Sequence, residues 1–367
     1  MENKRLRYFD IARGIGIILV LIGHLQGEIL NFSPYIVYLC IWIFSFHMPL
    51  FFIISGMLVK YKGDREKDLK LLIRRRFKGI MIPYYLFSII YIGIVLYALL
   101  ISKTIQANTL FVNLWYVLGL YGMNVLWFLP ALFLGEVLFL FLIKSFDGKK
   151  APIILLVLTG IGYIINVFLQ GQSYDTDLLN RLHELCITLL RPVFVASFIG
   201  IGYYAFDLVE GIKTKKGQIL ISQLCLIIDI ISIYVSMKLL NYTNVGDFRS
   251  LVQHNIIVYY VAAVSGSLWL ILISKLLSET GLKLRLLTFY GMNSLIFMAV
   301  HNNSSVLTLA LKTAMYVNQY LTRARGYICY LIVILVMLTY TTLTVYLVNR
   351  FFPFMAGKSM KRTGKGA

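Results

Sequence analysis

The sequence predicts an all-α membrane protein, a polytopic bundle of about ten transmembrane helices. Three observations support this fold class. Of the 367 residues, 59% are hydrophobic and only 14% are charged, and the mean hydropathy is +0.79; soluble domains contain about 25% charged residues. The apolar residues form repeated runs of about 20 residues, the length of a helix that crosses a bilayer. The basic residues are unevenly distributed between these runs.

Ten apolar runs are long enough to span the hydrocarbon core of a membrane. A shorter stretch, 110–120, cannot span it and is expected to be re-entrant or to lie at the interface. The first run lacks the small-residue cleavage site of a signal peptide, so we expect it to be retained. The runs lie near residues 8–30, 36–60, 78–102, 122–143, 151–169, 185–207, 218–239, 256–277, 286–311 and 326–350.

The net charge of +19 is a signal of topology. With the N-terminus inside, 26 of the 35 Lys and Arg residues fall on inner segments, seven fall on outer segments and two lie within spans. This asymmetry obeys the positive-inside rule and predicts that both termini are cytoplasmic. Because the charge is explained in this way, a nucleic-acid partner is not expected.

The cysteines show neither the CxxC spacing of a metal site nor the framework of a disulfide-rich protein. We expect them to be packing residues, and we expect neither a bound metal ion nor a tightly bound cofactor. They are Cys40, Cys186, Cys225 and Cys329, all in or beside apolar runs.

The first span carries Asp10, Arg13 and His24. At about 100° per residue, Arg13 and His24 lie within about 20° of one helix face, about 16 Å apart along the axis. Asp10 is three residues before Arg13, close enough to pair with it. A salt-bridged helix end and one hydrogen-bonded histidine would explain these residues. However, ionisable groups at membrane depth tend to line cavities, so the shared face favours a lined passage.

The second span places His47 at a depth similar to that of His24. Pro49 removes a backbone hydrogen bond just after it, which can bend the helix and free a carbonyl. Two histidines at one depth on adjacent spans favour a site over two independent packing positions.

Small residues in both spans predict close contacts with other helices or with a ligand. They are Gly14, Gly16 and Gly23 in the first span and Ser55-Gly56 in the second.

The predicted inner loop between Lys60 and Lys78 holds nine basic residues, including Arg74, Arg75 and Arg76. One interpretation is that these charges set the topology and attract anionic lipid headgroups. The other is that they bind the phosphates of a cytosolic donor, since Arg and Lys pair well with phosphate oxygens. The sequence leaves both open.

Glu136, in the fourth span, must be paired with a cation or protonated at that depth; Arg13 and the histidines are candidate partners. Arg191 lies in the outer part of the sixth span, where it could touch an extracellular acceptor or snorkel to the surface. Asp229 is a second deep acid without a charged residue at helical spacing. The ninth span carries Asn293 and His301.

These features resemble the acyltransferase-3 family, integral membrane proteins that O-acylate surface glycans. Asp10-x-x-Arg13 with His24 resembles the family's first-span signature, and Phe46-His47-Met48-Pro49-Leu50-Phe51-Phe52-Ile53-Ile54-Ser55-Gly56 resembles its second-span motif. Further similar stretches are Arg74–Arg76 before Pro83-Tyr84, Trp127-Phe128-Leu129, Gly291-x-Asn293-Ser294 with His301, and Asn349-Arg350-Phe351-Phe352-Pro353-Phe354 with Gly357. The last of these, with Trp127–Pro130, is similar to the fucose 4-O-acetylase-like branch.

The resemblance implies an O-acetyltransferase of the bacterial cytoplasmic membrane. Its co-substrate would be an acyl-CoA, most often acetyl-CoA, used on the cytoplasmic side. Its acceptor would be a hydroxyl of a surface polysaccharide, an exopolysaccharide or a lipid-linked glycan. The spacing of about 16 Å between Arg13 and His24 is comparable with the reach of an acyl-pantetheine arm.

Within this resemblance, His24 is the leading candidate for the general base on the sugar hydroxyl, since imidazole suits proton transfer near neutral pH. An acyl-histidine intermediate is a variant of this mechanism. Asp10 would orient Arg13, and His47 would position the thioester or stabilise charge on its oxygen. The expected donor-binding residues are Arg74, Arg75, Arg76 and Ser55, and the expected supporting residues are Glu136, Trp127, Asn293 and His301.

The alternative from another class is a transporter or flippase of a sugar or lipid-linked glycan, because intramembrane ionisable residues also mark transport paths. Transporters often have repeated halves with matching interrupted helices. Here the ionisable residues crowd into the first two spans, which favours the enzyme. We expect residues 1–352 to form the transmembrane acyltransferase domain and residues 353–367 to form a short basic cytoplasmic tail.

Overall fold

The computed structural model describes residues 6–25, 35–146, 150–239, 247–252, 255–302, 304–318 and 325–357. Within these ranges the chain is helical apart from turns and one isolated β-bridge, so the predicted all-α class is confirmed. In chain order the helices are α1 (Arg7–His24), α2 (Tyr35–Tyr61), α3 (Leu69–Arg76), α4 (Ile82–Leu100), α5 (Ala107–Leu118), α6 (Phe128–Ser145), α7 (Lys150–Gln170), α8 (Asp177–Gly211), α9 (Lys215–Tyr234), α10 (Ile256–Glu279), α11 (Arg285–Met292), α12 (Ser294–Val300), α13 (Ser304–Asn318) and α14 (Arg325–Phe351).

Eight helical segments among the described residues are long and apolar enough to cross a membrane. They correspond to eight of the ten predicted runs. The first run forms α1, which differs in composition because Arg7, Asp10 and Arg13 interrupt its apolar character. The eight segments are Val37–Tyr61, Leu69–Leu100, Asn124–Ser145, Lys150–Gln170, Asp177–Gly211, Lys215–Leu239, Ile256–Glu279 and Ile328–Phe351.

The predicted ninth run, 286–311, is divided among α11, α12 and α13, so a single continuous helix there is wrong. The first break falls at Asn293, whose side-chain nitrogen donates to the carbonyl of Phe289 at 2.8 Å. The second break begins at His301. Asparagine competes for backbone hydrogen bonds inside a helix, and Asn293 and Asn302 mark both interruptions.

The predicted loop between Lys60 and Lys78 is also largely helical. It contains a 3₁₀ turn, Asp64–Glu66, followed by α3, which continues through a π-helical stretch into α4. Asp68 caps α3 by accepting a hydrogen bond from the backbone N–H of Leu71 at 2.7 Å. The run of Leu, Lys and Arg in α3 favours a helix, and the arginines therefore lie on a rigid extension of a span.

The helix α2 lies at the centre of the bundle, against α1, α8 and α10. In its most apolar window 72% of the residues are buried, compared with 22% in α7 and in α14. Large apolar side chains of the outer helices are exposed, such as Leu156 and Ile164 on α7, as expected of a surface that faces lipid. The inner helices therefore carry the polar residues described below.

Two glycines allow the backbones of α1 and α11 to touch. An added Cβ on Gly14 would overlap the carbonyl of Leu287, and one on Gly291 would overlap the carbonyl of Asp10. Because the contacting positions run in opposite directions along the two helices, α1 and α11 are antiparallel. This contact confirms the close approach predicted at Gly14, and it fixes Asp10 and the start of α12 beside each other.

The same predicted role is confirmed at Gly56. A Cβ added there would overlap the carbonyl of Ile199 in α8, and one added to Gly202 would overlap the carbonyl of Ile53. This second pair of glycines holds α8 directly against the part of α2 that carries Ser55.

We predict that Gly14→Ala lowers the stability of the protein by about 1–3 kcal/mol, because the methyl group must displace the backbone of α11. Gly160→Ala is the matched control, since Gly160 lies inside α7 with no atom near its added Cβ. The measurement is the midpoint of thermal unfolding in detergent. Equal midpoints for the two variants would show that the α1–α11 contact is not tight.

Candidate active site

A cavity of about 220 Å³ opens among α1, α2, α3, α6 and α12. We call this end of the bundle the basic end, because Arg13, Lys62 and Arg76 lie in the cavity wall there. The other lining residues are Phe51, Ile54, Ser55, Leu58, Phe128, Leu129, Leu132, Glu136, Ser294, Leu295 and Met298. The cavity thus joins three cations to an apolar interior.

A second cavity, of about 330 Å³, adjoins the first and shares Arg13, Leu58 and Lys62 with it. Its wall also includes Asp10 and Tyr61. The two cavities together form a basic entrance to the bundle, with Arg13 between them.

The predicted pair of Asp10 and Arg13 is confirmed. Nη2 of Arg13 donates to Oδ1 of Asp10 at 3.3 Å, and Nε donates to the carbonyl of Phe9 at 3.3 Å. The Asp10 side chain is buried, whereas that of Arg13 is 26% exposed. Asp10 therefore holds Arg13 with part of its guanidinium directed toward the cavities.

Glu136 is paired, as predicted, but its partner is Arg76, and the predicted pairing with Arg13 or a histidine is wrong. Arg76 donates from Nε to Glu136 and from Nη2 to Asp64 at 2.8 Å. Ser55 donates to the same carboxylate of Glu136. The arrangement joins α2, α3 and α6 around one guanidinium, whose side chain is 14% exposed.

Asp64 was not singled out from the sequence, because it is one of three acids within a basic segment. Its side chain is 1% exposed and it accepts from Arg76 and, at 2.7 Å, from Lys67. The 3₁₀ turn places Asp64 against Arg76 of α3. Helical periodicity cannot predict this position, because Asp64 lies outside a regular helix. Asp64 and Glu136 together neutralise Arg76 and fix the direction of its planar fork.

The three consecutive arginines have different environments. Arg76 lines the cavity, whereas Arg74 and Arg75 are exposed, because successive side chains point about 100° apart around a helix. Lys62 lies in the cavity wall and keeps an exposed surface. Desolvation by the surrounding protein and then the positive charge of Arg76 lower the pKa of Lys62.

Three histidines from three different segments meet further along the bundle, and we call them the histidine cluster: His24, His47 and His301. The rings of His24 and His301 have centroids 5.2 Å apart. Phe44 contacts His24 edge to face at 6.0 Å and His47 at 4.9 Å. His47 and His301 are buried, while His24, the last residue of α1, is exposed. The structure therefore brings together His24 and His47, the histidines predicted to be catalytic, and His301, which was predicted to be a supporting residue.

Hydrogen bonds determine the tautomers of the two buried rings. Nδ1 of His47 lies 3.0 Å from the carbonyl of Ile43, and Nδ1 of His301 lies 2.8 Å from the carbonyl of Met298. A carbonyl oxygen can only accept, so Nδ1 carries the proton and Nε2 of the neutral ring is an acceptor. Nε2 of His301 is buried without a hydrogen-bond partner among the described residues.

The basic cavity extends most of the way to the histidine cluster. Its wall includes Phe51, which is four residues, or about 6 Å of helix, from His47 on α2. Met298 also lines the cavity, and its carbonyl accepts the hydrogen bond of His301. The cavity is open at Arg13, and its lining ends one helical turn from His47. Arg13 is the last residue of α1 in this lining, so a passage along α1 as far as His24 stays a prediction.

Three of the four predicted supporting residues lie outside the cavity wall: His301, which belongs to the histidine cluster, Trp127 and Asn293. Trp127 is buried and stacks between Arg191 and Phe248. Asn293 sits at the break between α11 and α12, where it accepts from Asn349 at 2.9 Å. Trp127 and Asn293 therefore contact other parts of the bundle and stabilise its packing. Asn293 directly precedes Ser294, which lines the basic cavity.

Arg191 and Asp229, the other two deep charged residues noted in the sequence, have protein partners. Arg191 is 1% exposed and donates to the carbonyls of Tyr121 and Arg249. Both alternatives predicted for Arg191, contact with an acceptor outside the membrane and snorkelling, are therefore wrong. Asp229 on α9 accepts from Ser45 on α2 at 3.1 Å.

These observations define a class of protein: a multi-pass membrane protein of α-helices, with a basic cavity at one end and a histidine cluster along the same helices. The model of the acyltransferase-3 family, described as an acyltransferase domain, matches residues 6–350. The chain therefore belongs to the acyltransferase-3 family and is an enzyme that transfers acyl groups. A comparison with curated proteins gives no match.

We predict that Asp64→Asn lowers stability by about 1–3 kcal/mol, because a buried guanidinium loses one of its two charged acceptors. Asp68→Asn is the matched control, since Asp68 is an exposed helix cap and asparagine caps helices equally well. Thermal unfolding in detergent measures both. A control that is as destabilised as Asp64→Asn would contradict a special role for Asp64.

Proposed function

We propose that this enzyme moves an acyl group, acetyl in the simplest case, from acyl-CoA to a hydroxyl of a surface or lipid-linked glycan. The observation that carries the proposal is the position of the basic cavity. It holds three cations at one end and approaches, within one helical turn, a cluster of histidines at the other. The proposal places the protein in the bacterial plasma membrane with the basic end facing the cytoplasm, where acyl-CoA is available.

The basic end supplies what the phosphates of a coenzyme require. Arginine and lysine form charge-assisted hydrogen bonds to phosphate oxygens, and Arg13, Lys62 and Arg76 converge on the entrance. The apolar wall beyond them, with Phe51, Leu129 and Met298, suits the acyl-pantetheine arm. The donor is thus a co-substrate that enters at the basic end and directs its thioester toward the histidines. The exposed Arg74 and Arg75 add positive charge at the surface near this entrance.

The chemistry proceeds at the histidine cluster. The hydroxyl oxygen of the acceptor attacks the thioester carbonyl while a ring nitrogen of His24 takes the hydroxyl proton. The carbon–oxygen bond forms, the carbon–sulfur bond breaks, and the thiolate of the coenzyme takes up the proton from His24. The products are an ester and the free thiol, so charge and protons balance. The exposed position of His24 at the end of α1 suits a base that must reach an acceptor outside the bundle.

His301 supports His24 in this proposal. Its Nε2 is an acceptor without a partner among the described residues, and its ring centroid lies 5.2 Å from that of His24. A small rotation of either ring would let it hold one N–H of His24 and leave the other nitrogen as the base. His47 completes the cluster from the opposite side of Phe44. Because its Nδ1 proton is committed to Ile43, His47 can stabilise an oxyanion through Nε2 only when the ring is protonated. In the neutral form it positions the thioester.

We predict that His24→Ala abolishes acyl transfer, with a loss of about 10²–10⁴-fold, the usual contribution of a general base. Membranes that contain each variant receive acetyl-CoA labelled in the acetyl group, and the label in the extracted host glycan is counted. His183→Ala is the matched control, because His183 stacks on Tyr174 away from the cluster and should leave transfer unchanged. Label at the wild-type level with His24→Ala would remove His24 as the base, and label with neither protein would exclude acetyl-CoA as the donor.

We predict that Arg76→Gln raises the KM for acyl-CoA about tenfold, the effect of about 1.4 kcal/mol from one charge-assisted contact. Arg75→Gln should change it less than twofold, because Arg75 is exposed outside the cavity wall. Lys62→Gln tests the same site and leaves the ion pairs of Arg76 intact, and it should also raise the KM for acyl-CoA. Equal effects of Arg75→Gln and Arg76→Gln would indicate a diffuse surface charge in place of a donor site.

A further inference from the structure

The largest cavity of the three described here lies on another side of the histidine cluster. It has a volume of about 630 Å³, within the range of small-molecule sites, and we call it the lateral groove. It lies between α4 and α14, with the end of α12 at its back. Its lining residues are Phe87, Ile90, Tyr91, Ile94, Asn124, Ala299, Val300, Asn302, Tyr340, Thr344, Val348, Phe352 and Met355.

The lining of the lateral groove contains no charged side chain. Phosphates of a coenzyme would find no cation there, in contrast to the basic cavity. Two side-chain amides meet at one end, where Asn302 donates to Asn124 at 3.0 Å. Tyr91 donates to the carbonyl of Ala299, three residues before Asn302, at 3.0 Å. An amphipathic molecule with one apolar chain and one uncharged polar head matches this distribution.

The polar end of the groove lies beside the histidine cluster. Val300 and Asn302 line the groove and flank His301, whose ring contacts His24. The helix is broken at this point. Irregular backbone at membrane depth is tolerated where it is buried or lines a cavity, and such breaks form substrate sites in other membrane proteins. The break therefore has one side on the groove and the other on the proposed catalytic base.

The rim of the groove is exposed on the surface that faces lipid. Ile90 is 48% exposed, Ile94 is 56% exposed and Phe352 is 50% exposed. A chain could thus enter sideways from the bilayer without passing through water. Along α14 the lining runs from Tyr340 to Phe352, about 18 Å at 1.5 Å per residue, so the groove suits an extended chain better than a compact ring.

The predicted tail contributes to the floor of the groove. Residues Pro353–Ala356 form a 3₁₀ turn that packs on α4, and Met355 is buried there. Because this turn covers one end of the groove, a polar head would lie at the other end, beside Asn124 and Asn302.

We propose that the lateral groove holds the apolar chain of a lipid-linked acceptor, with its sugar at Asn302 and the histidine cluster. This inference rests on the proposed acyl transfer and names the acceptor class: a glycan carried on a long hydrocarbon chain in the membrane. The donor and the acceptor then reach His24 by separate routes, one from the basic end and one from the bilayer.

The test compares two acceptors, the methyl and the decyl glycoside of the sugar that takes up label in the transfer assay. Wild-type protein in detergent should show a KM for the decyl glycoside at least about tenfold below that for the methyl glycoside, because burial of several methylenes stabilises the complex. Ile90→Trp, which fills the groove, should remove most of this preference and leave the KM for acyl-CoA unchanged. Ile89→Trp is the matched control, since Ile89 is 66% exposed on α4 but outside the lining.

The control also distinguishes binding in the groove from partitioning of the decyl chain into detergent micelles, because partitioning is the same for Ile90→Trp and Ile89→Trp. An equal KM for both glycosides in the wild type, or an equal effect of the two tryptophans, overturns the inference. If the host glycan takes up label and neither glycoside does, acyl transfer stands and the lipid-linked acceptor is wrong. If the host glycan takes up no label, the proposed function fails and the acceptor assignment fails with it.

A second readout needs no turnover. A decyl glycoside with a diazirine at the end of its chain is irradiated with the purified protein, and the labelled peptides are identified by mass spectrometry. The inference expects label on α4 or α14, reduced by excess unlabelled decyl glycoside and by Ile90→Trp but not by Ile89→Trp. Label confined to other helices overturns it, even where acyl transfer is intact.

Discussion

The ion pairs of Arg76 with Asp64 and Glu136 are the interaction on which the basic end of the bundle depends. The Arg76 side chain is 14% exposed and contacts two carboxylates, Asp64 and Glu136. Removal of an ion from water costs several kcal/mol, and geometry with further hydrogen bonds must compensate for it. Ser55 supplies one such bond and Lys67 another. Since these partners come from α2, α6 and the turn before α3, one ionic network fixes the relative positions of the elements that surround the basic cavity.

A second constraint is the backbone of the interrupted helix. Asn293 and the residues after Val300 end regular helices inside the bundle, so their polar groups need protein partners or a cavity. At the first break Asn349 donates a hydrogen bond to Asn293, and at the second break Asn124 accepts one from Asn302. The second break places His301 against His24 on one side and Asn302 in the lateral groove on the other. The interrupted helix thus places the histidine cluster between residues that line the basic cavity, such as Met298, and residues that line the lateral groove, such as Asn302.

Much of the fold and part of the site could be predicted from sequence. Apolar runs of fixed length located eight membrane helices, and helical spacing paired Asp10 with Arg13. The similar depth of His24 and His47 predicted that they share one site, and in the structure Phe44 contacts both rings. Periodicity describes one helix at a time. It therefore could not identify Arg76 as the partner of Glu136, nor the buried place of Asp64, because both depend on how separate helices cross.

The two cavities differ in the physical class of molecule they suit, and this difference bears on how such an enzyme works across a membrane. The basic cavity combines cations with an apolar interior, so it suits a water-soluble anion that carries an apolar arm. The lateral groove has uncharged walls and an exposed rim, so it suits a molecule already dissolved in lipid. The basic cavity ends one helical turn from His47, and the chain neighbours of His301 line the lateral groove. In the proposed reaction the two substrates therefore approach the cluster from different solvents, and neither crosses the site of the other. In the proposed mechanism the two routes converge on His24, which is exposed at the end of α1. The donor would then arrive from water and the acceptor from the bilayer, each on its own side of the proposed base.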